Sequence, residues 1–282
     1  MTATLTGLAL HPVKSTAVRR VRHAEVEPWG LRSDRRWMVV DATGECLTAR
    51  EERRLLTVVA DTADTDPTLA AVLRLRAAGS GDVLVDEPHG EPRPVTVHGR
   101  GGGLTAVEAA PDATEWLRTH LGRTDVTLVH VATPRPLNPE RTRPGEATAF
   151  ADAYPVTLAS QASLRRLDEW VAQTALERGE DPAVPLPVAR FRPNLVVDGD
   201  LEPFEEDGWA SVDVGAVTFR VVKPVDRCVM TTIDPETTQR GPEPIRTLAR
   251  HRKWDGATWF AVQLVPEVRG PLRVGDEVRP GR

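Results

Sequence analysis

The chain has 282 residues, only two of them cysteine, and sets 36 Lys and Arg against 41 Asp and Glu for a formal net charge of −5. A chain of that length buries a sizeable core without covalent or metal staples, and its mild acidity argues against nonspecific nucleic-acid binding. Cys46 and Cys228 lie far apart, which points away from a disulfide framework or a zinc motif, and no run approaches the roughly 18 apolar residues of a membrane span. With no signal-peptide pattern at the start, the expectation is a soluble, cytoplasmic chain in a reducing compartment.

The first segment reads as β structure. Leu5 to Val13, His23 to Glu27, Trp37 to Asp41 and Leu55 to Ala60 are short apolar or alternating runs, parted by the turn signals Trp29-Gly30 and Ala42-Thr43-Gly44. Val72 to Arg76, Val83 to Val85 and Val95 to His98 continue the pattern, which predicts a small barrel or sandwich. Pro111 to Leu121 is a short helix with an acidic start and Gly122 as its stop, and Val126 to Val131 is a strand. The prolines between Pro134 and Pro144 predict a loop or linker.

Ser160 precedes apolar positions Leu164, Leu167, Trp170 and Val171 at helical spacing and reads as an N-cap. Such a helix start suits a phosphate, although most capping serines only cap. Leu195 to Val197 is a buried strand, and Ser211 to Val214 with Val217 to Val222 flanks Gly215-Ala216 as a hairpin. Phe260 to Val265 and Leu272 to Val278 close the chain as strands.

Cys228 lies in Lys223-Pro-Val-Asp-Arg-Cys-Val-Met-Thr-Thr-Ile-Asp-Pro235, with Lys223 and Arg227 close in sequence. Cationic neighbours favour the thiolate, the form that attacks electrophiles and binds soft metals. The bland alternative is a cysteine that packs as a small hydrophobe. Cys46 is assigned to the core of the first domain.

His11-Pro-Val-Lys-Ser15, Gly30-Leu-Arg-Ser-Asp-Arg-Arg-Trp37, Leu47-Thr-Ala-Arg50, Arg190-Phe-Arg-Pro-Asn194, Pro203-Phe-Glu-Glu-Asp207 with Trp209, and Arg227-Cys-Val-Met-Thr-Thr-Ile-Asp-Pro235 occur in that order. Together they resemble the MOSC family with its N-terminal β-barrel domain, the group that contains the amidoxime reducing components. The resemblance covers nearly the whole chain. It implies a mainly β, α+β fold with a few helices: an N-terminal barrel domain over residues 1–120, a MOSC barrel domain over 121–282, and a molybdenum cofactor (molybdopterin) between them.

By the same resemblance Cys228 is the thiolate ligand of molybdenum and the catalytic residue. Lys14, Ser15, Arg35, Arg192 and Asn194 are cofactor contacts, with Ser160 and Ser163 offered for the phosphate or pterin. Arginine brings a planar fork of donors and lysine a point charge, which suits a polyanionic pterin phosphate. The pattern departs at Thr16 to Val18, where a cysteine and then a glycine are often found, and at Phe260-Ala261, where phenylalanine and then glycine are expected.

The implied activity is reduction of N-hydroxylated compounds, amidoximes or hydroxylamines, to amidine or amine and water. One cysteine beyond Cys228 is too few for an iron–sulfur cluster, so electrons come from a separate flavoprotein reductase or small redox protein. Membrane, nucleic acid and pyridoxal phosphate are not expected partners. A cofactor carrier or sulfur-transfer protein is the alternative, and a metal-free β-barrel binding protein a third.

Overall fold

The computed structural model describes residues 3–181 and 184–281. It is mainly β, with three α-helices among the described residues: α1 (Pro111–Leu121), α2 (Gln161–Glu177) and α3 (Ile245–His251). The chain forms two compact units. One holds the residues up to Leu8, Arg22–Val26 and the residues from Val156 onward; the other holds Ala9–Val21 and Glu27–Pro155.

In the first unit seven strands close a barrel. Round the wall they run Val156–Ser160, Leu195–Gly199, Ala3–Leu10, Glu277–Gly281, Ser211–Val214, Val217–Asp226 and Ala257–Val268, and the last pairs back with the first through Leu264 and Val156. Every neighbouring pair is antiparallel except Val156–Ser160 with Leu195–Gly199. A parallel pair needs a crossover, and α2 is the helix that makes it. Alternate residues such as Leu158, Leu195, Val197, Val212, Val214 and Leu264 are fully buried. Each contributes roughly 1.5–3 kcal/mol of apolar burial.

The start of α2 follows the sequence. Ser160 Oγ accepts from the Ala162 amide at 3.2 Å, and Leu164, Leu167 and Val171 pack into a cluster with Phe191, Leu248 and Phe260. The expected hairpin forms around Gly215, whose φ of 60° favours glycine and where a Cβ would come within 3.0 Å of the Asp276 carboxylate.

A β-bulge sits between the two longest strands. Pro224 faces Val262 while Asp226 faces Trp259, so two steps on one strand oppose three on the other. The extra residue is taken up near Ala261, which is fully buried with φ of 66°. That left-handed conformation favours glycine, and it gives the Phe260-Ala261 departure a physical meaning.

The second unit contains a four-stranded sheet in the order Trp37–Val40, Thr127–Thr133, Thr105–Glu108, Arg93–Pro94, and a three-stranded sheet of Val59–Asp61, Leu73–Ala77 and Gly81–Val85. Its core gathers Met38, Val40, Val97, Leu104, Val129 and Phe150, and Cys46 packs there at 8% exposure. The C-terminal stop of α1 is Gly122 in the left-handed region, its N–H bonded to the Arg118 and Thr119 carbonyls.

Four expectations change. Leu55 to Ala60 begins as a 3-10 turn (Arg53–Thr57) because the Glu52 side chain caps the Arg54 amide, and only Val59–Asp61 is strand. Val95 to His98 makes isolated bridges, since the glycine-rich turn after it reverses the chain. Part of the proline-rich stretch is ordered: Arg135–Pro136 pairs with Ala147–Thr148. The final strand is two, Pro271–Arg273 and Glu277–Gly281, split at Gly275 with φ of 104°.

Candidate functional site

The sequence-predicted residues fall into two groups, one in each unit. In the unit of Ala9–Val21 and Glu27–Pro155, the His11-to-Lys14 segment lies along Arg35-to-Trp37. Arg35 N donates to His11 O at 2.8 Å, Trp37 N to Pro12 O at 3.1 Å and Lys14 N to Trp37 O at 2.8 Å. The Phe150 peptide joins the two cationic residues: its N–H donates to Arg35 O at 3.2 Å and its carbonyl accepts from Lys14 Nζ at 2.8 Å. Lys14, Ser15 and Arg35 are therefore brought together.

Lys14 is 6% exposed, so its charge requires a partner, and Asp152 pairs with it. Asp152 also meets Arg50 Nη2 at 3.2 Å and His98 Nε2 at 3.2 Å. Desolvation alone would raise the Asp152 carboxyl, but Lys14 and His98 hold it well below the usual carboxylate range. Arg35 pairs with the buried Asp34, whose other oxygen accepts the His11 amide at 2.7 Å.

Backbone strain marks the same residues. Ser15 (φ 68°) and Arg35 (φ 50°) occupy the left-handed region, as do Ser33 and His98. Non-glycine residues persist there only where their surroundings over-determine them, and such residues cluster at binding sites.

The barrel unit carries Cys228, Arg192, Asn194, Ser160 and Ser163. Cys228 is half-buried and caps the 3-10 turn Val229–Thr232, its carbonyl accepting the Thr231 amide at 3.2 Å and hydroxyl at 3.0 Å. Arg190 clamps this turn to the Arg-Phe-Arg-Pro-Asn element: Nη1 donates to Thr232 O at 3.2 Å and Nη2 to Asp234 at 2.9 Å. Arg192, two residues on, is left-handed with φ of 51°. Cys228 and Arg192 are thus presented from two segments tied by one guanidinium.

The charges beside Cys228 in sequence are turned to other tasks. Arg227 donates through Nε to Phe260 O at 2.8 Å and through Nη1 to Phe191 O at 3.0 Å, using the carbonyl that the bulge presents. Lys223 Nζ lies over the Trp259 ring, 5.4 Å from its centroid.

Three further residues have structural bonds. Asn194 is fully buried, its Oδ1 accepting the Thr157 amide at 3.2 Å and its own amide donating to Thr157 O at 2.9 Å, which pins Arg192's segment to the barrel wall. Ser160 caps α2. Ser163 donates to Glu206 Oε2 at 2.8 Å and accepts the Phe204 amide at 2.7 Å.

The two thiols differ sharply. Burial pushes the Cys46 thiol up to about 11, and Cys46 lies within the core with Glu45 and His98 beside it. A thiol so raised is a poor thiolate at neutral pH. Glu45, Cys46 and His98 have ligand atoms within 4.8 Å of one another, but Glu45 already accepts from Thr96 and from the His98 and Gly99 amides, and Arg50 Nη1 lies 2.7 Å from His98 Nε2. A guanidinium there disfavours a cation.

The donor set fits a molybdenum cofactor by type: one half-buried thiol for a soft metal, and lysine, arginine and hydroxyl groups for a phosphate. Sequence reasoning missed Asp152, His98 and Arg190's clamp. Lys14 and Asp152 are 138 positions apart, and no local signal joins them.

Comparison with known proteins also gives two parts, divided between residues 124 and 145 rather than after Pro155. Residues 2–124 match the model of the MOSC N-terminal beta barrel domain, and residues 145–279 match that of the MOSC domain. The chain is 31% identical to mitochondrial amidoxime-reducing component 1 of Homo sapiens, over 98% of this chain and 82% of that protein. It is 30% identical to mitochondrial amidoxime reducing component 2 of Rattus norvegicus, over 98% and 82% respectively. It is also 30% identical to molybdenum cofactor sulfurase of Danio rerio, over 98% of this chain but 34% of the sulfurase. The cytoplasmic expectation is overturned by the mitochondrial relatives. It rested on few cysteines, on the lack of an apolar span and on the lack of a signal-peptide pattern, features that do not distinguish one reducing compartment from another. No described helix is long and apolar enough to cross a membrane.

Proposed function

The chain belongs to the MOSC-domain family with its N-terminal β-barrel domain, and on that premise we propose that it is a molybdenum-cofactor-dependent oxidoreductase. Its substrates are N-hydroxylated compounds, amidoximes and hydroxylamines, reduced with two electrons and two protons to the amidine or amine and water. The cofactor, when bound, supplies the two-electron redox step.

The chain's own residues bind and orient. Cys228 gives the metal its protein thiolate, on a turn fixed by Arg190. Lys14, Arg35 and Arg192 neutralise the pterin phosphate, with the Ser15 hydroxyl completing the hydrogen-bond set. Asp152 pairs with the buried Lys14 ammonium and fixes where it is aimed. Asn194, Ser160 and Ser163 act at one remove, holding Arg192's segment, the start of α2 and the Phe204 turn in place. Two cysteines leave no ligand set for an iron–sulfur cluster, so a separate flavoprotein reductase or small redox protein delivers the electrons.

The contrast between the thiols carries this reading: Cys46 is spent in a core, and Cys228 is held half-buried on a braced turn. The test is reduction of benzamidoxime by the purified chain with reduced methyl viologen as donor. Benzamidine is expected from the native chain and not from Cys228→Ala. The similarity to a cofactor sulfurase favours a second reading, a cofactor carrier or sulfur-transfer protein. Tight cofactor binding with no benzamidine would support it against the reductase.

A further inference from the structure

The hairpin formed by Leu73–Ala77 and Gly81–Val85 carries at its turn a serine that the proposed reduction does not use. Ser80 Oγ lies 2.9 Å from Nδ1 of His120, in the last turn of α1. On the other side of the ring, His120 Nε2 lies 2.9 Å from Oγ1 of Thr57, which ends the 3-10 turn Arg53–Thr57. All three residues belong to the unit containing Glu27–Pro155, and none is among those assigned to the cofactor.

The direction of these bonds follows from a count of hydrogens. Thr57 has one hydroxyl hydrogen, and it is donated to Arg54 O at 2.8 Å. Thr57 Oγ1 therefore accepts from His120, which puts the ring proton on Nε2 and leaves Nδ1 a bare acceptor. Burial holds His120 below the usual imidazole range, against a hydrogen bond to the Arg54 backbone, so at neutral pH the ring is uncharged. At Nδ1, then, Ser80 Oγ is the donor. A hydroxyl, a neutral imidazole placed to take its proton and a third group that fixes the imidazole's tautomer form the arrangement of an activated nucleophile.

The surroundings keep this arrangement in place and open. Trp116 stacks on His120 with ring centroids 5.4 Å apart and 16° between the planes, and its Nε1 donates to Ser80 O at 2.9 Å. Ser80 N donates to Ala77 O at 3.1 Å. Ser80 is half-buried, and Gly79 and Gly81 on either side of it have open space where a side chain would stand. Arg54 is engaged by Glu52 through Nε and Nη2, at 2.9 Å each. Its charge is thus matched, which favours an uncharged carbonyl compound over a phosphate.

We propose that Ser80 is a nucleophilic serine, served by His120 as general base, that takes an acyl group from an activated ester. Ser80 Oγ bonds to the carbonyl carbon as its proton passes to His120 Nδ1. The ester C–O bond then breaks and the leaving alcohol takes that proton. Water hydrolyses the acyl-serine to free acid and serine, so no oxidant or reductant is consumed. Thr57 is a positioning residue that holds the proton on Nε2. The site requires neither cofactor nor redox partner and stands apart from the reductase reading.

Labelling of the full chain with a fluorophosphonate, located by peptide mass spectrometry, tests it together with hydrolysis of p-nitrophenyl acetate. The native chain should be labelled at Ser80 before any other hydroxyl, and Ser80→Ala should hydrolyse the ester at least about tenfold more slowly. His120→Gln, which keeps a polar side chain but no base, should slow labelling of Ser80 by at least about a hundredfold. Thr57→Val should slow it by about tenfold and Thr57→Ser should keep the native rate. Circular dichroism checks each fold; if His120→Gln does not fold, Ser80→Ala decides. No label at Ser80, undiminished hydrolysis by Ser80→Ala, or native labelling in folded His120→Gln would overturn the proposal.

Discussion

Replacing Glu206 by Gln removes a carboxyl that the fold holds in an unfavourable place. Glu206 is 1% exposed in the turn before Trp209. Ser163 donates to one oxygen at 2.8 Å, while the other, Oε1, has no hydrogen-bond partner among the described residues. Burial pushes its pKa up from 4.5 to about 7, against the pull of the Ser163 hydroxyl. The folded chain therefore binds this proton more tightly than the unfolded chain does. Stability from the neutral acid is fully present below the unfolded value near 4.3, is lost as pH rises toward about 7, and stays lost above it. A shift of roughly 2.5 units at 1.36 kcal/mol each makes that loss about 3 kcal/mol. Glutamine keeps the shape, accepts the Ser163 bond and stays neutral throughout. Urea unfolding of the native chain and Glu206→Gln should then give similar stabilities near about pH 4.5, with the variant ahead by about 3 kcal/mol near about pH 8.5. A difference between the two proteins that does not change with pH would refute the reasoning.

The bulge residue inverts normal strand preferences. Ala261→Val should destabilise by roughly 2–3 kcal/mol because a β-branched residue resists the left-handed region, whereas Ala261→Gly should stay within about 1 kcal/mol of the native chain. Thermal unfolding measures both, and a stabilising valine would contradict the bulge assignment. Alkylation with iodoacetamide, followed by peptide mass spectrometry, should modify the half-buried Cys228 well before the core Cys46, whose thiol burial raises to about 11. Earlier labelling of Cys46 would reverse the roles given to the two thiols.

Local chemistry was legible where one segment carries its own reason. Ser160 announces α2 because its hydroxyl caps the helix it precedes, and Gly215 announces its hairpin because the turn requires a positive φ. Helix α3 was not read, since it follows Gly241-Pro-Glu-Pro244, has a proline at its N-cap and lasts seven residues; the Glu243 carboxylate, which accepts the Thr247 amide at 3.1 Å, and tertiary packing of Leu248 hold it. The candidate site divides the same way. Its residue types were readable as motifs, but their wiring was not. Lys14 meets Asp152 only because distant segments fold together, and Arg227, read as a cation for Cys228, is drawn to the Phe260 and Phe191 carbonyls. Charge proximity in sequence fixes no direction for a side chain, and a bulge one strand away decides this one.

The central assignment is Cys228 as the protein ligand of molybdenum. Chain purified from a host that makes the cofactor should carry molybdenum and pterin in near-equimolar amount by mass spectrometry, and Cys228→Ala, equally folded, should carry background molybdenum. Equal metal in the two proteins would contradict it.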